Sequence, residues 1–296
     1  MYPADVSSPT PVAATVGAEK GPTIVFHGHL DVVPAHAEQF DPRVDGDRLY
    51  GRGAYDMKGA LAAMMVAARE VAERTDVRVH FVCVADEESD ETELRASDWL
   101  VKHGYVGDFA ITGEPTDMKI GVQAKGVLAL RLTFTGRAAH GSTPWQGDNA
   151  VLKAIHGFRR LEQMEWAQES SELFPRPSVN LGRIMGGDAL NKVPDRCVID
   201  IDIRYLPGQE PGKIQQEIAS LANVEVRKVF HRRPILVEAS NPYVQLLAQA
   251  IKEGTPAERI SVGRDGTSDA ISFLEAGVPA VEFGPIGAGH HGPEEW

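Results

Sequence analysis

The chain has 296 residues, 43% of them hydrophobic and 24% charged, with a formal net charge of −12 at pH 7. That length suits one large or two ordinary domains, and the composition excludes a mostly disordered chain. The acidic balance, with no basic stripe, excludes nucleic acid as a partner, because phosphate binding needs clustered Lys and Arg.

No apolar stretch is long enough to span a membrane and no signal-peptide pattern is visible, so a cytoplasmic protein without a membrane partner is expected. Cys83 and Cys197 lie in the apolar runs "HFVCVAD" and "RCVIDIDI" and read as buried free thiols, not as a disulfide or zinc-finger pair.

Residues 1–22 read as a loose lead-in with one strand, "VAATVG". "TIVFHGHLD" is an apolar run that turns polar, as a buried parallel strand does at its end. The stretch "VVPAHAEQFDPRVDGDRLYGRGAYD" reads as a Pro- and Gly-punctuated loop. "MKGALAAMMVAAREVAER" predicts a helix with Leu61, Met64, Ala68 and Val71 near one face. "VRVHFVCVADEES" and "GDFAITGEP" are further strands with acidic ends, separated by the helix "ASDWLVKHG". This alternation predicts an α/β fold with a mainly parallel sheet.

The middle of the chain changes character. A long alternating strand, "KGVLALRLTFTGRAAH", precedes the helix "DNAVLKAIHGFRRLEQM" and the strands "SVNLGRIMGGD" and "DRCVIDIDIRYLPG". A helix, "PGKIQQEIASLA", and a strand, "NVEVRKVF", complete a β-α-β-β-α-β order, which predicts a two-layer, ferredoxin-like α+β insertion. The helices "NPYVQLLAQAIKEG" and "TSDAISFLEAG" and the strand "VPAVEFGP" restore α/β character. The expected division is a discontinuous catalytic domain, 1–120 with 233–296, and an inserted domain, 121–232.

In open α/β sheets chemistry collects beyond the carboxyl ends of the strands. Four expected strand ends carry His29 and Asp31; Asp86, Glu87 and Glu88; Glu114; and His290 and His291. Asp56 sits at a loop-to-helix junction, where such a residue is most often an N-cap. A lone loop histidine or acidic turn is usually unremarkable, but four strand ends bearing ligand-type residues suggest a mixed nitrogen and oxygen site suited to zinc, with cobalt or manganese possible. Two histidines and three carboxylates suit two ions sharing a bridging carboxylate. His29 and Asp31, one residue apart in extended chain, share a side, so Asp31 can orient the imidazole. Neighbours Glu87 and Glu88 point oppositely, so one can ligate while the other acts as a base.

The segments "GHLDVVP", "GRGAYDMKGALAA", "DEES", "GEPTD", "GRAAHGS", "NKVPDRC…DIR" and "HHGPEEW" resemble, in order, those of the di-zinc metallopeptidases. That family includes acetylornithine deacetylase, succinyl-diaminopimelate desuccinylase, aminoacylase and glutamate carboxypeptidases. The resemblance implies that His29, Asp56, Glu88, Glu114 and His291 are ligands of two zinc ions. It makes Asp56 the bridge, Asp31 the partner that orients His29, and Glu87 the general base. His291 is preferred to His290 because "HGPEEW" fits a His–x–Pro–acid–Glu pattern.

The resemblance also makes the insertion a lid and homodimerisation domain. There His140 would stabilise the oxyanion, often across the dimer, and Asn191 and Arg204 would bind substrate. His27, His36 and His103 fall outside the pattern and read as structural or exposed. "GRGAYD" lacks the preceding strand that a nucleotide loop needs.

Relatives usually begin with a helix and strand bearing a Pro–Ser–Gly–Glu-type motif and continue into a final helix, so a shortened chain is expected. The expected activity is hydrolysis of the amide of an N-acylated amino acid, of acetylornithine deacetylase or succinyl-diaminopimelate desuccinylase type. The alternatives are a glutamate carboxypeptidase or dipeptidase, or a catalytically silent metal-binding relative.

Overall fold

The structure, a computed structural model, describes residues 11–74, 76–88, 95–222, 224–254 and 261–296. The first ten residues of the expected lead-in and Ser89 of "DEES" lie outside them. Strands β1 (Val12–Gly17) and β2 (Thr23–His29) precede a hairpin of β3 (Arg43–Asp45) and β4 (Arg48–Tyr50). Helix α1 (Gly59–Val71), β5 (Arg78–Val84), α2 (Ala96–Lys102), β6 (Phe109–Thr112) and β7 (Ile120–Ala124) follow. Next come β8 (Gly126–Thr135), α3 (Ala150–Leu161), α4 (Glu165–Gln168), β9 (Ser178–Gly186), β10 (Arg196–Tyr205), α5 (Pro211–Ala219) and β11 (Val224–Arg232). The chain continues through β12 (Ile235–Leu236), α6 (Pro242–Gly254), β13 (Ser261–Arg264), α7 (Ala270–Glu275) and β14 (Ala280–Glu282).

Two compact units result: Met1–Val122, Ile235–Val262 and Ser268–Trp296 form the first, and Gln123–Pro234 with Gly263–Thr267 the second. The main sheet runs β1-β5-β2-β6-β14-β7-β12, with β13 paired to β7. Its centre is parallel, β2 lying between β5 and β6 and β14 beside β6. The partners are antiparallel toward the edges, β1 against β5 and β7 against β14. Val25, Val82, Val84, Ala110 and Val281 are almost fully buried, as expected where helices cover both faces of a sheet.

Helix α1 sets the site's floor. Ala60, Leu61, Met64 and Ala68 are its buried stripe. The helix comes so close that a Cβ on Gly28 would lie 2.6 Å from Leu61 Cδ2 and 2.7 Å from Met57 Cε. A Cβ on Gly113 would lie 2.6 Å from the Ala60 Cβ and 2.8 Å from Met57 Cε. Glycines directly before His29 and Glu114 therefore let α1 and Met57 wedge against two strand ends.

The second unit is one antiparallel sheet, β11-β8-β10-β9. Strict alternation puts Leu128, Leu130, Leu132 and Phe134 of β8 on one face with Cys197, Ile199, Ile201 and Ile203 of β10. Helices α3 and α5 cover that face with Ala154, Phe158, Leu161, Ile214 and Ile218. Arg131, Asp200 and Arg204 alternate onto the other face.

Some elements differ from the sequence expectation. Part of the supposed loop before α1 is the β3–β4 hairpin, turning at Gly46 with φ 62°. The long alternating strand is preceded by a separate one, β7.

Candidate metal centre

β2 ends at His29, and the chain leaves the sheet there. His29 Nδ1 lies 3.0 Å from the Asp31 carbonyl oxygen and 3.4 Å from Asp31 Oδ1. The backbone carbonyl is thus the nearer acceptor, because Asp31 Oδ2 accepts the Glu88 N–H at 2.8 Å. Either oxygen holds the ring so that Nε2 points at Asp56, 3.1 Å from its Oδ1.

Asp56 does not cap a helix. Its backbone, at φ −116° and ψ 95°, is non-helical, and its carboxylate lies against His29 and His290. Oδ2 lies 2.6 Å from His290 Nε2 and 3.2 Å from His291 Nε2, while His291 Nε2 is 2.9 Å from Glu88 Oε1. Asp56 therefore joins the β2 end to the 290–291 loop, and His291 joins it to the β5 end. Both histidines reach Asp56, and His291 also reaches Glu88.

Among the described residues, three overlapping sets place their nitrogen and oxygen donors within 4.8 Å of one another: His29, Asp56 and Glu114; His29, Glu87 and Glu88; and Asp56, His290 and His291. The donor types suit zinc, cobalt or manganese. Asp31 Oδ1 and Glu114 Oε1 are buried without a hydrogen-bond partner, a cost that a cation would offset. The residues present fit a divalent metal centre.

The electrostatics agree. Burial opposes a charge on His29, yet Asp31 and Asp56, with Glu114 and Glu87, raise its pKa to about 12. Burial pushes Glu87 up to about 8, the Asp269 charge adding to it. Burial and the Glu87 charge hold Glu114 well above the usual carboxylate range. Burial works in the same direction on Asp56, but His29 and His290 overcome it and hold that carboxyl below its usual range. Negative charge this concentrated calls for a cation.

Around these groups lies support that sequence reading missed. Arg95 donates to the Glu87 carbonyl at 2.8 Å and to the Asp86 carbonyl. Asp86 Oδ2 accepts the Ala96 N–H at 2.8 Å, starting α2. His27, left outside the pattern, is fully buried, 2.8 Å from Ser97 Oγ, which donates to Asp269 at 2.6 Å. Glu295 and Arg52 pair in the interior. The last Glu of "HGPEEW" was the available signal for Glu295, and the place of Arg52 within "GRGAYDMKGALAA" was the signal for its partner.

The second unit holds the remaining expected residues. His140 is exposed and its Nδ1 accepts the Ser142 N–H at 3.2 Å. Its loop pairs with that of Asn191, through Gly141 N–H to the Asn191 carbonyl at 2.7 Å. Arg204 is not beside them. It lies opposite Val127, and its guanidinium is 2.9 Å from Asp202.

The family model "Peptidase family M20/M25/M40" matches residues 25–296. A succinyl-diaminopimelate desuccinylase of Leptothrix cholodnii is 32% identical over 317 residues, covering 99% of this chain and 82% of that one. The fold is similar to aminopeptidase PepT from Bacillus cereus, with TM-score 0.76, 21% identity, and 97% and 79% of the two chains covered. It is also similar to the metallo-carboxypeptidase Sso-CP2 from Sulfolobus solfataricus, with TM-score 0.71, 18% identity, and 96% and 83% covered. Among the described residues no helix is long and apolar enough to cross a membrane. The chain belongs to peptidase family M20/M25/M40 and is a metal-dependent, amide-hydrolysing enzyme.

Proposed function

We propose that the protein cleaves the amide of a small N-acylated amino acid, of the succinyl-diaminopimelate or acetylornithine type, with two zinc ions, as a cytoplasmic homodimer. The observation that carries the reading is that His29, Asp56, Glu88, Glu114 and His291 are linked into one cluster, with the half-buried carboxyl of Glu87 grouped beside His29 and Glu88. The similarity to a desuccinylase over 99% of the chain favours an acylated amino acid as substrate.

Those five residues would hold the cations, whose chemistry there would be Lewis acidity and a lowered pKa for a water. Glu87 takes the proton of the attacking water and later delivers it to the leaving amine. Its raised pKa suits that exchange, because an efficient acid–base group titrates near the working pH. Asp31 keeps the His29 ring in one orientation. In the second unit His140 Nδ1 accepts the Ser142 N–H, which leaves Nε2 as the ring's N–H donor. That N–H is suited to donate to a developing oxyanion. Arg204 offers a planar fork to a substrate carboxylate.

The arrangement of the second unit supports the dimer. The His140 and Asn191 loops leave the sheet where Thr135 pairs with Arg196, as Gly136 N–H bonds the Asp195 carbonyl at 2.8 Å. Arg204 is eight residues along β10, roughly 26 Å at about 3.3 Å per residue. A small substrate does not span that distance, so the two groups suit the substrates of different copies.

The test is amine release from acylated substrates by zinc- or cobalt-loaded protein. Turnover of succinyl-diaminopimelate or acetylornithine that stops with a chelator is the expected result. Turnover of dipeptides alone would move the assignment to peptidase. No turnover of either by folded, metal-loaded protein would overturn it.

A further inference from the structure

We infer that Arg52 and Glu295 form a clamp that positions Asp56 and His291 for cation binding, an inference that rests on the proposed metal centre. Both side chains are buried, with relative exposures of 8% and 2%. Glu295 Oε1 accepts the N–H groups of Tyr55 and of Asp56 itself, each at 3.0 Å. Its Oε2 accepts Arg52 Nη1 at 2.5 Å. Arg52 Nη2 then donates to the carbonyls of His291, at 3.1 Å, and Gly292, at 3.0 Å. One ion pair thus grips the backbones of two expected ligands from segments 243 residues apart at the pair itself.

Three features mark this as positioning and not general packing. The clamp bonds the ligand residues' own backbones, Asp56 N–H and His291 C=O. Each of those backbones needs holding. The non-helical Asp56 has no helix carbonyl to satisfy its N–H, and His291 sits at φ 58°, a left-handed conformation unfavourable for a residue with a Cβ. Finally, Arg52 cancels the Glu295 charge, so a carboxylate beside the centre does not compete for its cations. Charge-assisted bonds in a low dielectric are well suited to such stiffness.

The inference is tested by binding, independently of turnover. Zinc affinity is measured by competition with a chromophoric chelator, and coordination by the visible spectrum of cobalt-loaded protein. Glu295→Gln leaves a donor facing Arg52, and Arg52→Lys removes the arm to His291. Each is expected to weaken cation binding 10–100-fold, the usual cost of losing a group that orients a ligand, and to shift the cobalt spectrum. Circular dichroism verifies folding, and Arg52→Lys carries the test if Glu295→Gln does not fold. Glu294→Gln, at a side chain 72% exposed, should change neither readout. Wild-type affinity and spectrum in either folded clamp variant would overturn the clamp alone. A wild-type protein that binds no zinc or cobalt would overturn the metal centre, and the clamp with it.

Discussion

The two units bury opposite chemistries. In the first, His27, His29, Arg52, Asp56, Asp86, Glu114, Asp269, Glu282 and Glu295 are all buried. In the second, Lys125 is the one buried charged or polar residue among those described, and the packed layer under the sheet is apolar. The second unit is stabilised as most small α+β folds are, by area removed from water. The first holds titratable groups whose charges balance only with partners, protons or cations. Its stability should therefore follow pH and metal, and the second unit's should not.

The largest effect that would sharpen this contrast is catalytic. Glu87→Gln should lower kcat by about 10²–10⁴, the usual worth of a general acid–base group, while zinc still binds. Activity near wild type would remove Glu87 from the chemistry. Next comes metal. A thousandfold excess of zinc over its dissociation constant should stabilise the first unit by about 4 kcal/mol. Leu130→Ala, in the apolar layer of the second, should cost about 2–5 kcal/mol with or without zinc. Calorimetry with and without chelator reads both, and a zinc-dependent penalty for Leu130→Ala would break the contrast.

The third test is pH. Burial lowers the His27 pKa to about 4 from its ordinary 6.5. The unfolded chain therefore takes up this proton first. The stability is intact above pH 6.5 and is lost as pH falls toward 4, by about 3 kcal/mol in all. Urea unfolding across that range should show a shallower pH slope in His27→Gln than in wild type; equal slopes would clear His27 of the effect. The smallest test is local. Asn149 Oδ1 accepts the N–H groups of Val151 and Leu152 at 3.0 and 3.2 Å, capping α3. Asn149→Ala should cost about 1 kcal/mol, unaffected by zinc or by pH between 4 and 7.

Much of this was legible in the chain because two local rules apply. Alternation with period two separated the faces of β8 and β10, and apolar runs ending in His or acid marked the tips of β2, β5 and β6. The hairpin at "VDGD" was missed because each strand is only three residues long, although its Asp–Gly turn was a usable signal. β12, with two residues, is defined by its partner, Val237 N–H bonding the Val122 carbonyl at 2.9 Å. Local pattern alone reads Asp56 as a cap, and only the family resemblance made it a ligand, because its contacts with His29 and His290 are ones no local pattern connects to it. The His27–Ser97–Asp269 chain was hidden for the same reason. The separation of Arg204 from His140 and Asn191 is a matter of register, visible once β8 and β10 are paired.

The contacts that close the centre are far apart along the polypeptide. His291 and Glu88 are separated by 203 positions, and His290 and Asp56 by 234. Ordering so long a loop carries a large entropic cost, and pairings of high sequence separation form slowly. The strands β2, β5 and β6 can associate on a ribosome well before residues 290 and 291 emerge. During synthesis the proposed centre is then only partly assembled. On the proposed ligand set, amide hydrolysis awaits His291, and a nascent molecule stalled short of it is expected to have no hydrolytic activity.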